Sequence, residues 1–166
     1  MSAGEKLPSQ RREDAKDAKE KNATEINRVS AVLVDAALEV HREFGPGLLE
    51  SAYCAALTIE LEQRGESVVR EREVPCFYKG TVLGISYRMD MVVNACVIVE
   101  VKAVQELLPI HHAQLLTYLR LSGHKLGLLI NFNVPLLKGS IKRVVNRLRL
   151  PLRSLHLCAF ALETKR

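Results

Sequence analysis

One short run constrains this chain more than any other: Cys96-Val97-Ile98-Val99-Glu100-Val101-Lys102. Its β-branched, apolar composition reads as a buried strand. Two charges inside such a strand cost several kcal/mol each unless they are paired or bound to a cation. The i, i+2 spacing puts Glu100 and Lys102 on one face. A neighbouring run, Tyr87-Arg88-Met89-Asp90-Met91-Val92-Val93, contributes another carboxylate, Asp90, and Asn94-Ala95 turns between the two. Hairpin pairing then brings the two acids together at the sheet edge.

Paired carboxylates repel and favour sharing a hard cation, Mg²⁺ or Mn²⁺. Such an ion keeps waters, one of which can attack a phosphodiester, and Lys102 beside it can stabilise the charge that develops. Asp90, Glu100 and Lys102 are therefore candidate catalytic residues. Glu50 is a further candidate ligand, and the Val101 carbonyl an additional oxygen. The competing explanation is a Lys–Glu salt bridge on an exposed sheet face. Glu50 also has a plainer explanation, since an acid in a helix's first turn is favoured by the helix dipole.

The rest of the 166 residues frames that hairpin. Residues 1–23 are charged, poor in large apolar side chains and expected to be a disordered tail. Thr24 is a candidate cap for a helix carrying Ile26, Val29, Leu33, Ala36, Ala37, Val40 and Phe44 at helical steps, ending at Gly45-Pro46-Gly47. A second helix is expected over about 48–64, with Leu49, Ala52, Tyr53, Ala56, Leu57 and Leu61 inward and Gly65 as its stop. Strands are expected over 68–78, 82–93, 97–103 and 126–132, and a helix over 110–121 closed by Gly123. The last of these strands is almost wholly apolar, as a central or parallel strand would be. Residues 139–149 look like a basic amphipathic helix, and 155–162 like a short strand. The expected fold is α/β, a mixed four-stranded sheet flanked by helices in the order α-α-β-β-β-α-β-α. The domain is expected over 24–150, with 151–166 an extension packed on or near it.

Gln114 and Tyr118 stand four apart, on one face of the expected helix, where they could orient water, phosphate or a base. Read alone, this helix is explained more simply as an ordinary amphipathic one. His111, at the start of that helix, could contact phosphate. His41, His111 and His112 lack a zinc-ligand spacing, and the four cysteines form no CxxC pair. Buried free thiols are the expected state of the cysteines. No phosphate-binding glycine loop occurs.

The net charge is +5, and Lys138 to Arg166 holds eight basic residues against one acidic. That bias suits a polyanion, with Lys142, Arg143, Arg147 and Arg149 as candidate nucleic-acid contacts. A solvated face is the alternative. Only 5% of residues are aromatic, with no aromatic–basic strip for base stacking. No stretch is long and apolar enough to span a membrane, and the N-terminus has no apolar signal region, so a cytoplasmic protein is expected.

Taken together, HREFGPGLLESAY, the VPCFYKGTVLGISYRMDMVV hairpin, VIVEVKAV, LLPIHHAQLLTYLRLSG and LGLLINFNVPLLKGSIKRVV resemble the GxxExxY protein family, a branch of the PD-(D/E)xK nuclease-like superfamily. The resemblance covers roughly residues 25–146. It implies a restriction-endonuclease-like core and Mg²⁺-dependent phosphodiester hydrolysis of DNA or RNA. It places the metal-binding Asp at Asp90, the (D/E)xK pair at Glu100 and Lys102, a QxxxY helix motif at Gln114 and Tyr118, and an early helical acid at Glu50. Met89 stands where the proline of the superfamily's name would be. A catalytically silent nucleic-acid-binding or protein-assembly module keeping the same fold is the alternative, the latter docking through the 26–65 helical hairpin. A homodimer or a larger protein complex is open.

Overall fold

The computed structural model describes residues 8–147. Its elements are α1 (Pro8–Phe44), α2 (Glu50–Gln63), β1 (Val68–Tyr78), β2 (Thr81–Val93), β3 (Val97–Lys102), α3 (Pro109–Ser122), β4 (Leu126–Asn131), a single 3₁₀ turn (Leu137–Gly139) and β5 (Ile141–Val145). The strands form one five-stranded sheet in the order β1-β2-β3-β4-β5. β3 and β4 run parallel, and the other pairs are antiparallel. The sheet thus has one strand more than the four expected.

The extra strand lies where a basic helix was expected over 139–149. A 3₁₀ turn and β5 occupy its described part instead. The physical reason is β4. Every residue of Leu126–Asn131 is buried, so both of its edges need a ladder, and the β-branched Ile141, Val144 and Val145 suit that role. Lys142 and Arg143 consequently project from opposite faces of the sheet.

Helix α1 also begins earlier than expected. Pro8 sits at its start, a position where a missing N–H costs nothing, and 8–23 is rich in Ala, Lys, Arg and Glu. Its side chains from Glu13 to Glu25 are all exposed, so this stretch is a solvated helix rather than the expected disordered tail. Thr24 does not cap; its hydroxyl donates to the Glu20 carbonyl one turn back. Residues 1–7, Arg149, Cys158, the 151–166 extension and the strand expected over 155–162 lie outside the described residues.

Two cores sandwich the sheet. On one side α1 and α2 bury Val29, Leu33, Ala36, Tyr53, Leu57 and Leu61 against Met91, Val99, Val101, Leu128 and Ile130. On the other, Leu115, Tyr118 and Leu119 of α3 pack on Val92, Ile98, Leu129 and Val144. Gly127 permits that closeness: a Cβ there would stand 2.7 Å from Leu115 Cδ1. Phe44, Leu49 and Ala52, expected inward, are exposed. Phe44 closes α1 and Leu49 is the cap residue before α2, so both stand at helix ends, outside the packed turns.

At the end of the sheet away from Lys102, Arg28 on α1 donates to both oxygens of buried Glu66, and the Asn94 amide donates to Glu66 as well. Asn94 has a positive φ in the β2–β3 turn, and its side-chain oxygen accepts from Ser67 N. The turn expected at Asn94-Ala95 is therefore tied to the segment between α2 and β1, and through Glu66 to Arg28 of α1.

Candidate active site

The side chains expected to act together meet where β2 and β3 part. Ile98 belongs to the α3 core, whereas Val99 and Val101 belong to the α1/α2 core, so Glu100 and Lys102 lie on the α3 face. Met89 also packs in the α3 core, yet Met91, two residues on, packs in the other. Regular alternation therefore breaks at Asp90. The β2–β3 ladder ends at Met91 opposite Val99. Asp90 continues it with its side chain: Oδ2 accepts from Val101 N at 2.8 Å.

Lys102 Nζ donates to Glu100 Oε1 at 2.7 Å. The salt bridge considered as a surface feature is thus real but buried, with side-chain exposures of 13% for Lys102 and 2% for Glu100. The second oxygen, Glu100 Oε2, is buried and has no hydrogen-bond partner. Glu50 opens α2, and its Oε1 accepts from Ala103 N at 3.1 Å, directly after Lys102.

The electrostatics follow from three carboxylates facing one ammonium. Burial, then the Asp90 charge, pushes the Glu100 carboxyl up to about 7, and Lys102 only partly offsets this. Burial also raises Asp90, against the opposing pull of Val101 N–H and Lys102. Burial alone would lower Lys102, but its bond to Glu100 and the charges of Glu100, Glu50 and Asp90 outweigh that, so its ammonium is stabilised. Cys54 on α2 senses the same field. Burial and then Asp90 push its thiol to about 12, which leaves it inert.

Gln114 and Tyr118 sit as a pair on α3, Gln114 Nε2 donating to the Tyr118 hydroxyl at 2.6 Å. Tyr118 is buried. Burial raises its pKa, with Glu100 and Asp90 adding to the rise, so it stands within the field of the acids. Its ring meets Tyr87 of β2 at 5.7 Å. His111 folds back at the start of α3, its Nδ1 accepting from Leu108 N. His41 is elsewhere, donating to the Val134 carbonyl from α1. Lys142 bonds to the Gly139 carbonyl, Arg143 reaches across to Asn27 and Ser30 on α1, and Arg147 is exposed beyond β5. The structure does not gather these bases into one stripe.

Two residues shape the site without having been singled out for it in the sequence. Asn131, buried at the end of β4, accepts from Val104 N and donates to Val104 O, fixing the chain just after β3. A polar residue closing an apolar run was the available signal. Tyr53, expected inward on α2 and as the tyrosine of the GxxExxY motif but given no role at the site, holds the loop before Glu50: its hydroxyl donates to Gly45 O at 2.6 Å and accepts from Leu48 N at 3.2 Å.

Among the described residues no group of three or more His, Cys, Asp or Glu side chains stands ready as a metal cage. The donor set nevertheless fits a hard divalent cation. It offers carboxylate oxygens only, in excess over the single ammonium, and one of those oxygens is buried without a partner. Among the described residues, no helix is long and apolar enough to cross a membrane.

A family model described as the PD-(D/E)XK nuclease superfamily matches residues 27–144. No curated protein matches. A crystal structure of SSO0001 is similar at 19% identity, covering 69% of this chain and 59% of that one, with a TM-score of 0.43. The chain thus spans less than two thirds of that protein's length.

Proposed function

The chain belongs to the PD-(D/E)XK nuclease superfamily, and on that premise we propose that it is a Mg²⁺- or Mn²⁺-dependent nuclease hydrolysing phosphodiester bonds of DNA or RNA, in the GxxExxY branch. The observation that carries this is Glu100 Oε2, a carboxylate oxygen buried without a partner beside Lys102 and Asp90. A buried acid left half-satisfied is costly in a protein with no use for it.

Glu50, Asp90 and Glu100 would hold the cation. The Val101 carbonyl would join them, because a strand residue's N–H and C=O point to the same edge and Val101 N–H faces Asp90. Bound there, the cation supplies Lewis-acid polarisation and an acidified water. Lys102, paired with Glu100 beside that site, would hold the attacking water and stabilise negative charge on the phosphoryl oxygens. Tyr118 and Gln114, hydrogen-bonded to each other on the same face, orient the substrate phosphate, and His111 lies at the start of their helix as a further phosphate contact. Lys142, Arg143, Arg147 and Arg149 contribute unspecific affinity for the backbone.

A second reading, a binding module without turnover, draws on the hydrogen bonds that already engage one oxygen each of Glu50, Asp90 and Glu100. Calorimetric titration with Mn²⁺ separates the two. Wild type should bind and Asp90→Ala should not; binding by neither favours the silent module.

A further inference from the structure

Tyr53 lies three residues after Glu50 on α2 and is wholly buried, its ring stacked on Phe132 at 4.5 Å. Phe132 follows β4, and its N–H donates to the Lys102 carbonyl at 2.8 Å. The Tyr53 hydroxyl, at the other end of the ring, closes the 45–48 loop by bonding both Gly45 O and Leu48 N. Within that loop Gly47 has a φ of +108°, a conformation open to glycine and strained for any other residue. The loop delivers the chain to Glu50, whose carboxylate accepts from Ala103 N, next to Lys102. Gly47, Glu50 and Tyr53 thus form a closed circuit: loop, acid and clamp, anchored on the β4 end that also holds Lys102.

We propose that Tyr53 is a positioning residue whose hydroxyl fixes the loop before α2 and thereby aims the Glu50 carboxylate at the metal site. This rests on the proposed metal-dependent reading of that site. The ring alone could fill the core as phenylalanine. The hydroxyl adds two hydrogen bonds to the backbone of the loop, and it is the loop, not the core, that sets where α2 begins. Partners that orient a metal ligand without touching the metal typically change its affinity by about 10–100-fold.

The test is a double-mutant cycle read by Mn²⁺ calorimetry on the full chain: wild type, Tyr53→Phe, Glu50→Gln and the double variant, each checked for folding by circular dichroism. Tyr53→Phe should keep its secondary structure and bind Mn²⁺ about tenfold more weakly or worse. In the Glu50→Gln background the same change should cost nothing further, because its effect passes through Glu50. Gly47→Ala, which strains the same loop without touching the core, should reproduce the pattern and serves if Tyr53→Phe fails to fold. Wild-type affinity in the Tyr53 and Gly47 variants overturns the inference alone. So does an equal loss with and without Glu50, which would mark general loosening. Absence of Mn²⁺ binding by wild type overturns the metal reading and this inference with it.

Discussion

Replacing Glu100 by glutamine should stabilise the metal-free protein at neutral and alkaline pH. Glu100 is an acid whose folded-state pKa is raised, from an ordinary 4.5 to about 7, chiefly by burial and then by Asp90. The stability it contributes is fully present below about 4.5 and is lost as pH rises through 7. At pH 8 the ionised side chain costs the fold about 3 kcal/mol, the worth of that rise in pKa. Glutamine keeps the shape, still offers Lys102 an oxygen, and places an amide N–H where Oε2 now lacks a partner, in the negative field of Asp90. Melting curves in chelator should show Glu100→Gln melting about 6–12 °C above wild type at pH 8, with the gap closing towards pH 4. Excess Mn²⁺ should raise the wild type and leave the variant where it is. A variant less stable than wild type at pH 8 would refute the reasoning, because it would mean that the carboxylate is fully compensated in the fold.

Three other consequences follow from the geometry. Gly127→Ala should destabilise by about 1–3 kcal/mol in urea unfolding, because its Cβ meets Leu115 at 2.7 Å in a packed core. Glu66 has a lowered pKa, through its bond to Arg28 against the opposing effect of burial, so its stabilisation is present above the ordinary carboxylate range and is lost as pH falls through its folded value. Glu66→Gln should therefore be less stable than wild type at pH 7, and the difference should shrink in urea melts at pH 3. Replacing both Lys142 and Arg147 with alanine should weaken nucleic-acid binding and flatten its logarithmic salt dependence by up to about 2, one phosphate contact each; an unchanged slope makes them solubilising charges.

Where a segment's own residues carried the decision, the sequence could be read closely. β1 spans the expected 68–78, and α2, β2, β3, α3 and β4 fall within about two residues of expectation, because period and glycine stops agree there. Glu100 and Lys102 were legible on β3 because two charges in an apolar strand leave few alternatives. The first turns of α1 were not. A run of Ala, Lys, Arg and Glu without large apolar residues is the composition both of a solvated helix and of a disordered tail. β5 failed for another reason: its basic spacing suits a helix, and only the exposed edge of β4 decides for a strand. The in-plane turn of Asp90, the Asn131 clamp on Val104 and the Tyr53 clamp on Gly45 and Leu48 depend on contacts that local spacing does not encode.

The central claim, that this cluster hydrolyses phosphodiesters, is tested most directly by a cleavage time course. Purified wild type, Lys102→Ala and Asp90→Ala would be incubated with labelled single- and double-stranded DNA and RNA in Mg²⁺ or Mn²⁺. Wild type should cleave at least one substrate and lose that activity in chelator. Lys102→Ala, still folded and still binding Mn²⁺, should cleave it at least about a hundredfold more slowly, the scale for losing one electrostatic catalytic group. Asp90→Ala should not cleave. Cleavage by Lys102→Ala at the wild-type rate, or none by wild type on any substrate, would contradict the account.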